Sequence, residues 1–301
     1  MKQASHSLLR SLPVSAATTF LLFVSPYSAS ALSMTAERKV LVTGAGGQTG
    51  RLVMQKLLQR PAFTPIGIVR TAESKEGLVK EGVPAAQIQL ADICDAASIR
   101  TAAEGMDAVI ICTSGTPAPT GEMKPDGRPV FGFPNGQPEQ VDWIGQKNQI
   151  DAAKDAGCAH VVICSSMGGT DPENMLNKLA RDEDGNGGNI LLWKRKAEKY
   201  LIDSGMTYTI VHPGGLINES GGLREIVVGV DDSQAGTESK SIPRADVAEL
   251  LIASLEHASY KNRSFDARSK PEGEGAVTAN FDKLLTDMKE NCDYTLGEIP
   301  N

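Results

Sequence analysis

Three glycines follow an apolar run near the start of the folded part of the chain. Gly44, Gly47 and Gly50 are spaced three apart in TGAGGQTG, directly after KVLVT. The first permits a tight turn, the second lets the backbone approach a ligand, and the third lets a helix pack on the strand. Unpaired N–H groups at the start of that helix favour a negative group. The spacing predicts a diphosphate at a strand-to-helix turn, in a dinucleotide site that includes Gln48 and Thr49.

The residues at the end of the second predicted strand indicate whether NAD(H) or NADP(H) binds. The segment PIGIVR ends in Arg70, and no acid follows before Glu73, whereas NAD sites usually place an acid here for the ribose hydroxyls. A guanidinium can instead pair with a 2′-phosphate through two parallel hydrogen bonds. Arg70, with Arg51 as a second candidate, predicts NADP(H) in preference to NAD(H). The alternative, that either arginine is a surface residue without a ligand, stays open.

Two further strand ends supply candidate cofactor residues. Asp92 and Ile93 follow the third predicted strand, where an acid and an apolar residue can border adenine. Thr113 and Ser114 end the fourth, where they are placed to face the ribose and the nicotinamide. Open α/β sheets bind ligands at the carboxyl ends of their strands, so these residues are expected in one cleft.

The elements that must position these residues alternate between strand-like and helix-like segments from residue 38 to about residue 291. Continuous runs of Val and Ile are typical of parallel strands covered by helices on both faces. We predict an α/β fold, a Rossmann-type doubly wound parallel sheet, in one domain over residues 38–301. The predicted strands are 39–43, 65–70, 87–91, 107–113, 160–166, 207–212 and 263–267. The first predicted helix ends near residue 60. The other predicted helices span 72–81, 95–104, 139–157, 190–204, 244–257 and 279–290. Long loops are predicted at 114–138, 167–189 and up to about residue 243.

Charge and cysteine usage narrow the function classes. A formal net charge of −7 repels phosphate backbones and gives no support to nucleic-acid binding. The basic run 194–196 would, on charge pattern alone, be a solvated helix face. The five cysteines form no CxxC and no Cys/His cluster at metal spacing. They are therefore expected to be buried, reduced thiols, and no metal site is predicted.

Residues 1–37 are expected to be a signal-like or transit-like segment. Lys2, His6 and Arg10 precede an apolar stretch over 14–24, and SASA at 28–31 offers a cleavage site. The apolar stretch is too short for a spanning helix, so no permanent membrane anchor is predicted. Unpaired thiols are unusual in a secreted protein, which favours a plastid reached through the secretory route. The secretory pathway and the cytoplasm remain alternatives, and Met34 is an alternative start.

Several longer motifs give the chain a family resemblance. It resembles the atypical short-chain dehydrogenase/reductases, and within them the NADP-binding plant and algal subgroup related to NmrA-like proteins. The resemblance covers residue 39 to about residue 290. It rests on TGAGGQTG, VR at 69–70, PEQVDWIGQKNQIDAAK at 138–154, SSMGGT at 165–170, LLWKRKAEKYL at 191–201, PGGL at 213–216 and PRADVAEL at 243–250.

The resemblance implies roles for residues at the reacting end of the cofactor. Ser166 falls at the family's catalytic serine and Lys194 at the lysine of its Tyr-x-x-x-Lys pair. Pro213, Gly214 and Gly215 match the segment that lies against the nicotinamide carboxamide. Ile190 stands where the family's tyrosine would be, and that tyrosine normally exchanges the substrate proton.

The missing tyrosine leaves the proton donor and the activity open. Ser166, a water molecule, Tyr208 and His212 are the substitutes, and the last two are more typical of a packed core. The resemblance implies an NADPH-dependent reductase of a small carbonyl or alkene, with loops 114–138, 167–189 and 216–240 over the substrate. A catalytically silent, redox-sensing NADP(H)-binding regulator and an epimerase-like protein are the alternatives. The substrate is not identified, and a homodimer is one option for the assembly.

Overall fold

The computed structural model describes residues 37–181 and 187–300 of the 301-residue chain. The described residues belong to one compact unit. Residues 1–36 of the predicted targeting segment lie outside the described part, so that segment and its boundary stay predictions. Within the described ranges, no helix is both long enough and apolar enough to cross a bilayer.

The strands of the described residues follow the predicted order. They are β1 (Arg38–Thr43), β2 (Phe63–Val69), β3 (Ile88–Leu90), β4 (Ala108–Ile111), β5 (Ala118–Met123), β6 (Pro129–Gly132), β7 (His160–Cys164), β8 (Tyr208–Pro213), β9 (Gly215–Ile217), β10 (Ile226–Gly229), β11 (Ser241–Pro243) and β12 (Arg263–Ser269).

Eight strands form the central sheet, in the order β10-β12-β8-β7-β4-β1-β2-β3. Its neighbours pair in parallel except for β10, which runs antiparallel to β12 at the edge. The chain order reverses where β1 lies between β2 and β4, and this switch point opens the ligand crevice of doubly wound sheets. The Rossmann-type parallel sheet is confirmed.

Helices cover both faces of the sheet, as the predicted core requires. They are α1 (Gln48–Leu58), α2 (Ala72–Lys80), α3 (Ala96–Ala103), α4 (Gln146–Asp155), α5 (Met175–Lys178), α6 (Ile190–Asp203), α7 (Arg244–Glu256) and α8 (Phe281–Leu284). A π-helical segment, Glu139–Gly145, leads directly into α4.

Alternate residues of β1 explain why its apolar run is continuous. Val40 and Val42 pack in the cluster that contains Leu57 of α1 and Leu251 of α7. Leu41, on the opposite side of the strand, packs in a second cluster with Ile150 of α4. Successive strand residues face opposite sides of a sheet. A strand covered on both sides must therefore be apolar at every position.

Two of the predicted long loops contain strands. The 114–138 segment forms the antiparallel hairpin β5–β6, and the 213–243 segment contains β9, β10 and β11. These strands are short or rich in Gly and Pro, and β5 is mostly exposed. They therefore lack the long apolar runs on which the prediction relied.

The predicted C-terminal helix over 279–290 is wrong in length, because α8 covers only Phe281–Leu284. The guanidinium of Arg263 on β12 donates to the carbonyl oxygen of Glu290 at 2.9 Å and also to that of Met288. The side chain of Asn291 accepts from the Arg263 Nε atom at 3.0 Å. Contacts with β12 hold this segment in an irregular path, and they override its local helical pattern.

Candidate functional site

A cleft of about 1110 Å³ opens at the carboxyl edge of the sheet, above the switch point. Ligand sites commonly have volumes of roughly 300–1,000 Å³, so the cleft has room for a dinucleotide and a further small molecule. The predicted residues that line it are Gly44, Gly47, Gln48, Thr49, Arg70, Asp92, Ile93, Thr113, Ser114, Ser166, Lys194, Pro213, Gly214 and Gly215. Gly50 and Arg51, also predicted, are not among the lining residues.

The glycine turn has the geometry that its spacing predicts. Gly44 has φ +67°, and a Cβ there would lie 2.8 Å from the carbonyl carbon and oxygen of Cys112. A Cβ on Gly50 would lie 2.3 Å from the carbonyl oxygen of Gly44, so Gly50 serves the packing of α1 on the turn. Among the described residues, no side chain caps α1 at Gly47. The N–H groups of its first turn are therefore available to an anion.

The two predicted arginines have different surroundings. The Arg70 guanidinium lines the cleft and donates to the backbone oxygen of Asn135 at 3.0 Å and to its Oδ1 at 3.2 Å. The Arg51 guanidinium pairs with the Glu81 carboxylate at 2.6 Å and donates to the Gly46 carbonyl at 3.2 Å. Arg70 is thus placed for a ligand phosphate, whereas Arg51 is held outside the cleft by a neighbouring acid.

Sequence reasoning missed two polar residues beside Arg70. Thr71 caps α2, its hydroxyl accepting from the Ser74 N–H at 3.2 Å, and both residues line the cleft. Together with Arg70 they place a guanidinium and a helix N-terminus at one point, which suits an anion. The signal in the sequence was the T-x-x-S spacing at the start of the predicted helix.

At the other end of the cleft, Lys194 is paired with a buried acid. Its Nζ atom lies 2.8 Å from Oδ1 of Asp142, which is fully buried. Oδ2 of Asp142 accepts from the N–H of Gly115 at 2.8 Å. The ion pair therefore fixes the lysine between α6, the π-helical segment and the loop after β4. Asp142 was overlooked, although it lies inside the conspicuous 138–154 motif.

The position at which the family has its tyrosine is occupied here by an apolar residue, Ile190. Ile190 begins α6, is 7% exposed and lines the cleft. In the described part of the chain, the cleft lining includes no tyrosine. Ser166 also lines the cleft, and its hydroxyl donates to the Met167 carbonyl at 3.0 Å. Ser166 and Lys194 are thus the polar side chains that remain at the predicted catalytic positions.

His212 and Tyr208, the other substitutes considered for the tyrosine, do not line the cleft. The His212 Nε2 atom lies 3.0 Å from Oε2 of Glu198, and its Nδ1 atom lies 3.5 Å from Oδ1 of Asp266. Tyr294 donates to the same Glu198 oxygen at 2.9 Å, and the Ser165 hydroxyl donates to Oε1. This buried polar network lies behind Ser165, which itself borders the cleft.

Charge pairing dominates the pKa values in this network. Burial acts to raise the pKa of Glu198, but the charge of His212 and the hydrogen bonds lower it to about 2. Burial acts to lower the pKa of His212, and the Glu198 carboxylate outweighs this and raises it well above its usual value. The His212 imidazolium is therefore paired with the Glu198 carboxylate in this network.

The cysteines are free thiols in the described residues. Burial raises the pKa of Cys164 to about 11 and that of Cys112 well above its usual value. Both line the cleft as protonated, weakly nucleophilic groups. Cys94 is exposed, which corrects the expectation that all five would be buried; it lies on the loop after β3, outside the apolar strands.

The fold and the cleft place this protein among Rossmann-type nucleotide-binding proteins, and Ser166 and Lys194 both line the cleft. Residues 44–258 match the family model described as NAD(P)H-binding, and the chain belongs to this family. It is an NADP(H)-binding member of the atypical short-chain dehydrogenase/reductases, so the predicted family and cofactor class are confirmed.

Among the relatives that match over most of the chain, two are more than 40% identical to it. An uncharacterized chloroplastic protein of Arabidopsis thaliana is 48% identical over 267 residues, covering 86% of this chain and 78% of the relative. Sanguinarine reductase of Eschscholzia californica is 46% identical over 270 residues, covering 83% of this chain and 95% of the relative. Among solved structures, a putative NAD-dependent epimerase/dehydratase from Bacillus halodurans superposes with a TM-score of 0.62 at 24% identity, covering 82% and 98%. That structural likeness supports the fold alone.

Proposed function

We propose that the protein reduces a small carbonyl or activated alkene with NADPH. The observation that carries the proposal is one continuous cleft. It joins the glycine turn and Arg70 at one end to Ser166 and Lys194 at the other. The relative named sanguinarine reductase, which matches over nearly its whole length, supports a reductase.

Arg70 and the start of α2 favour NADPH over NADH. A 2′-phosphate there would meet the Arg70 guanidinium, the hydroxyl of Ser74 and the positive end of α2. The Glu73 side chain does not line the cleft. No carboxylate therefore occupies the position that binds ribose hydroxyls in NAD sites, within the described residues.

When bound, NADPH would supply the hydride, and the protein's own groups would orient the substrate. The ion pair with Asp142 holds the Lys194 side chain in place, so its other N–H donors can hold ribose hydroxyls and stabilise negative charge on a substrate oxygen. The Ser166 hydroxyl can donate a hydrogen bond to that oxygen. The proton would come from water, either directly or through the Ser166 hydroxyl, which takes a proton from that water as it gives up its own, because the Ile190 side chain has no proton to donate.

Apolar side chains around the reacting end indicate an apolar substrate. Met167, Leu176, Leu179, Leu191 and Leu216 line this part of the cleft. Leu176 belongs to the short helix α5 and is 39% exposed, as expected of a residue that covers a ligand. Burying apolar area on such walls contributes about 25 cal/mol per Å², which favours a flat or branched hydrocarbon frame beside the carbonyl.

A substrate panel with NADPH consumption as readout tests the proposal. We expect turnover of apolar carbonyl or activated-alkene substrates, and we expect Lys194→Met to lower kcat by at least about 100-fold, as for loss of one preorganised donor. Lys199→Met is the matched control, because Lys199 lies on the same helix in an exposed pair with Asp203.

The competing function is a silent, redox-sensing NADP(H)-binding regulator, and Ile190 is the observation that favours it. A folded protein that binds NADPH and turns over no member of the panel would support the regulator and refute the reductase. An epimerase-like activity would need the missing tyrosine, so the same residue counts against it.

We propose that the mature protein acts in the plastid. The chloroplastic relative and the layout of residues 1–37 support this location. A fluorescent fusion to the full chain should accumulate in plastids, and a fusion lacking residues 1–37 should not. Plastid accumulation of the truncated fusion would contradict the assignment.

The homodimer also stays a prediction. Light scattering on the purified protein gives the mass directly, and twice the monomer mass would establish the dimer.

A further inference from the structure

Three potential metal ligands lie close together behind the cleft, and the proposed reductase function does not use them. His212 at the end of β8, Asp266 in β12 and Cys292 in the segment after α8 bring their side chains together. They are 5%, 1% and 8% exposed, respectively. We call these three residues the three-donor cluster. Their donor atoms lie within 4.8 Å of one another.

The distances within the cluster fit a tetrahedral metal site. The Cys292 Sγ atom lies 3.5 Å from Nδ1 of His212, and Nδ1 lies 3.5 Å from Oδ1 of Asp266. The third side of the triangle, from Sγ to Oδ1, is 3.9 Å. Metal–ligand bonds of about 2.0–2.3 Å at tetrahedral angles place such donor atoms about 3.3–3.6 Å apart. A shift of a few tenths of an ångström would therefore complete the triangle around an ion.

The surroundings hold each ligand in the orientation that a metal site needs. The far nitrogen of His212, Nε2, lies 3.0 Å from the Glu198 carboxylate, which leaves Nδ1 for the metal. The second oxygen of Asp266 accepts from the backbone N–H of Asp232 at 2.7 Å, which leaves Oδ1. Metal-binding histidines usually donate their other N–H to a carboxylate in this way.

Space and charge beside the cluster also suit a cation. A cavity of about 10 Å³ adjoins the three side chains, about the space that one water molecule needs. Four carboxyl groups border it, from Glu198, Asp231, Asp232 and Asp266, against Arg195 and the imidazole of His212. Such an excess of acidic groups favours a divalent ion over a neutral ligand.

We propose that Nδ1 of His212, Oδ1 of Asp266 and Sγ of Cys292 bind one Zn²⁺ ion, with water as the fourth ligand. Thiolate and imidazole donors select zinc over magnesium or calcium. Zn²⁺ binds a thiolate and a neutral imidazole nitrogen, so any proton carried by these two donor atoms leaves to solvent when the ion binds.

The ion would fasten the C-terminal segment to the sheet. Cys292 is connected to β12 already, since its N–H donates to the Ser264 carbonyl at 3.2 Å. A metal bond to β8 would add a second attachment directly behind Ser165. The competing account is a metal-free ion triad, in which the His212 imidazolium lies between Glu198 and Asp266.

Cobalt titration of the full-length, chelator-treated protein separates these accounts. We expect one equivalent of Co²⁺ to bind, with a thiolate-to-cobalt charge-transfer absorption that Zn²⁺ abolishes and Mg²⁺ does not affect. Cys292→Ser should lose the absorption, whereas Cys94→Ser and Cys158→Ser should keep it. Cys94 controls for an exposed thiol, and Cys158 for a buried thiol, bonded to the Met106 carbonyl, outside the cluster.

A conservative change outside the three ligands tests the supporting shell. Glu198→Gln should weaken Zn²⁺ binding by about 10- to 100-fold, as loss of such a carboxylate does in other sites. Absence of cobalt binding, or an absorption retained in Cys292→Ser, would overturn the proposal in favour of the ion triad.

If Cys292→Ser does not fold, X-ray absorption of the zinc-loaded wild type decides between the zinc site and the ion triad. One sulfur with nitrogen and oxygen neighbours supports the site, and zero or several sulfurs refute it. Neither result depends on reductase activity.

Discussion

The glycine turn and the three-donor cluster both lie against the same sheet, yet they are encoded in opposite ways. Gly44 to Gly50 is a single short segment whose spacing already specifies its conformation. The cluster joins His212 of β8 to Cys292, 80 residues further along the chain and outside any strand. A local motif can be recognised before the fold is known. A site assembled from distant segments can be recognised only when the fold brings them together.

The largest effect on stability is expected in the buried network. Glu198→Ala would leave His212, Ser165 and Tyr294 without their shared partner, and loss of one member of a buried ion pair costs about 3–5 kcal/mol. Urea unfolding of metal-free protein measures the loss. Asp203→Ala on the same helix is the control, because its pair with Lys199 is exposed and is worth less than about 1 kcal/mol. Equal losses of unfolding free energy in Glu198→Ala and Asp203→Ala would show that burial does not make the Glu198 network more stabilising than an exposed ion pair.

A second histidine shows what the carboxylates contribute. His160 is buried like His212, but its Nε2 atom faces the Thr209 hydroxyl at 2.9 Å. Burial lowers the pKa of His160 to about 4. In the unfolded chain the pKa of His160 is about 6.5. The neutral imidazole therefore adds its full stability to the fold above about pH 6.5, and this contribution is lost as the pH falls towards 4.

His160→Gln should flatten the fall in unfolding free energy between pH 6.5 and 4, by up to about 3 kcal/mol. Unfolding curves across this range measure the slope. An unchanged slope in His160→Gln would mean that this imidazole is protonated in the fold.

The glycine turn can be tested with two matched substitutions. Gly50→Ala places a Cβ 2.3 Å from the Gly44 carbonyl oxygen, and such overpacking costs about 1–3 kcal/mol. Because the turn must shift, NADPH binding should be lost as well. Gly77→Ala in α2 has nothing within 4 Å and should stabilise the helix by about 0.5–1 kcal/mol. Normal NADPH affinity in Gly50→Ala would show that the glycine turn does not bind the cofactor.

Much of the fold followed from pattern, and the exceptions have physical causes. The continuous Val and Ile runs predicted the parallel sheet because both faces are covered. Strand β10 was missed because it is a short antiparallel edge strand, stabilised by pairing with β12 and not by a long apolar run. The helix predicted over 279–290 was cut short by Arg263, a contact across about 25 residues that no local window contains.

The candidate site shows the same division between local and distant information. The residues at strand ends line the cleft, as the position of ligands in open sheets predicts. Arg51 does not, because Glu81 of a neighbouring element takes its guanidinium. Charge pattern alone suggests a solvated face for the basic run 194–196, whereas the family resemblance assigns Lys194 to the site. Lys194 and Arg195 are both buried, one paired with Asp142 and the other stacked over Tyr294 at 4.7 Å.

The smallest effect is expected at the adenosine end. Arg70→Ala should weaken NADPH binding by about tenfold, the value of one charge-assisted contact at a partly exposed position, and should leave NADH binding unchanged. Arg51→Ala should alter neither, since its guanidinium is already occupied by Glu81. Reversal of the two results would assign the 2′-phosphate to Arg51.

Calorimetric titration of the wild-type chain with NADPH and, separately, with NADH tests the central claim most directly. The claim is that the Gly44–Gly50 amides hold a diphosphate beside an arginine that recognises a third phosphate. The account predicts one site with at least about tenfold tighter binding of NADPH, since one charge-assisted contact contributes about 1.4 kcal/mol or more. No binding of either nucleotide, or equal affinity for both, would contradict it.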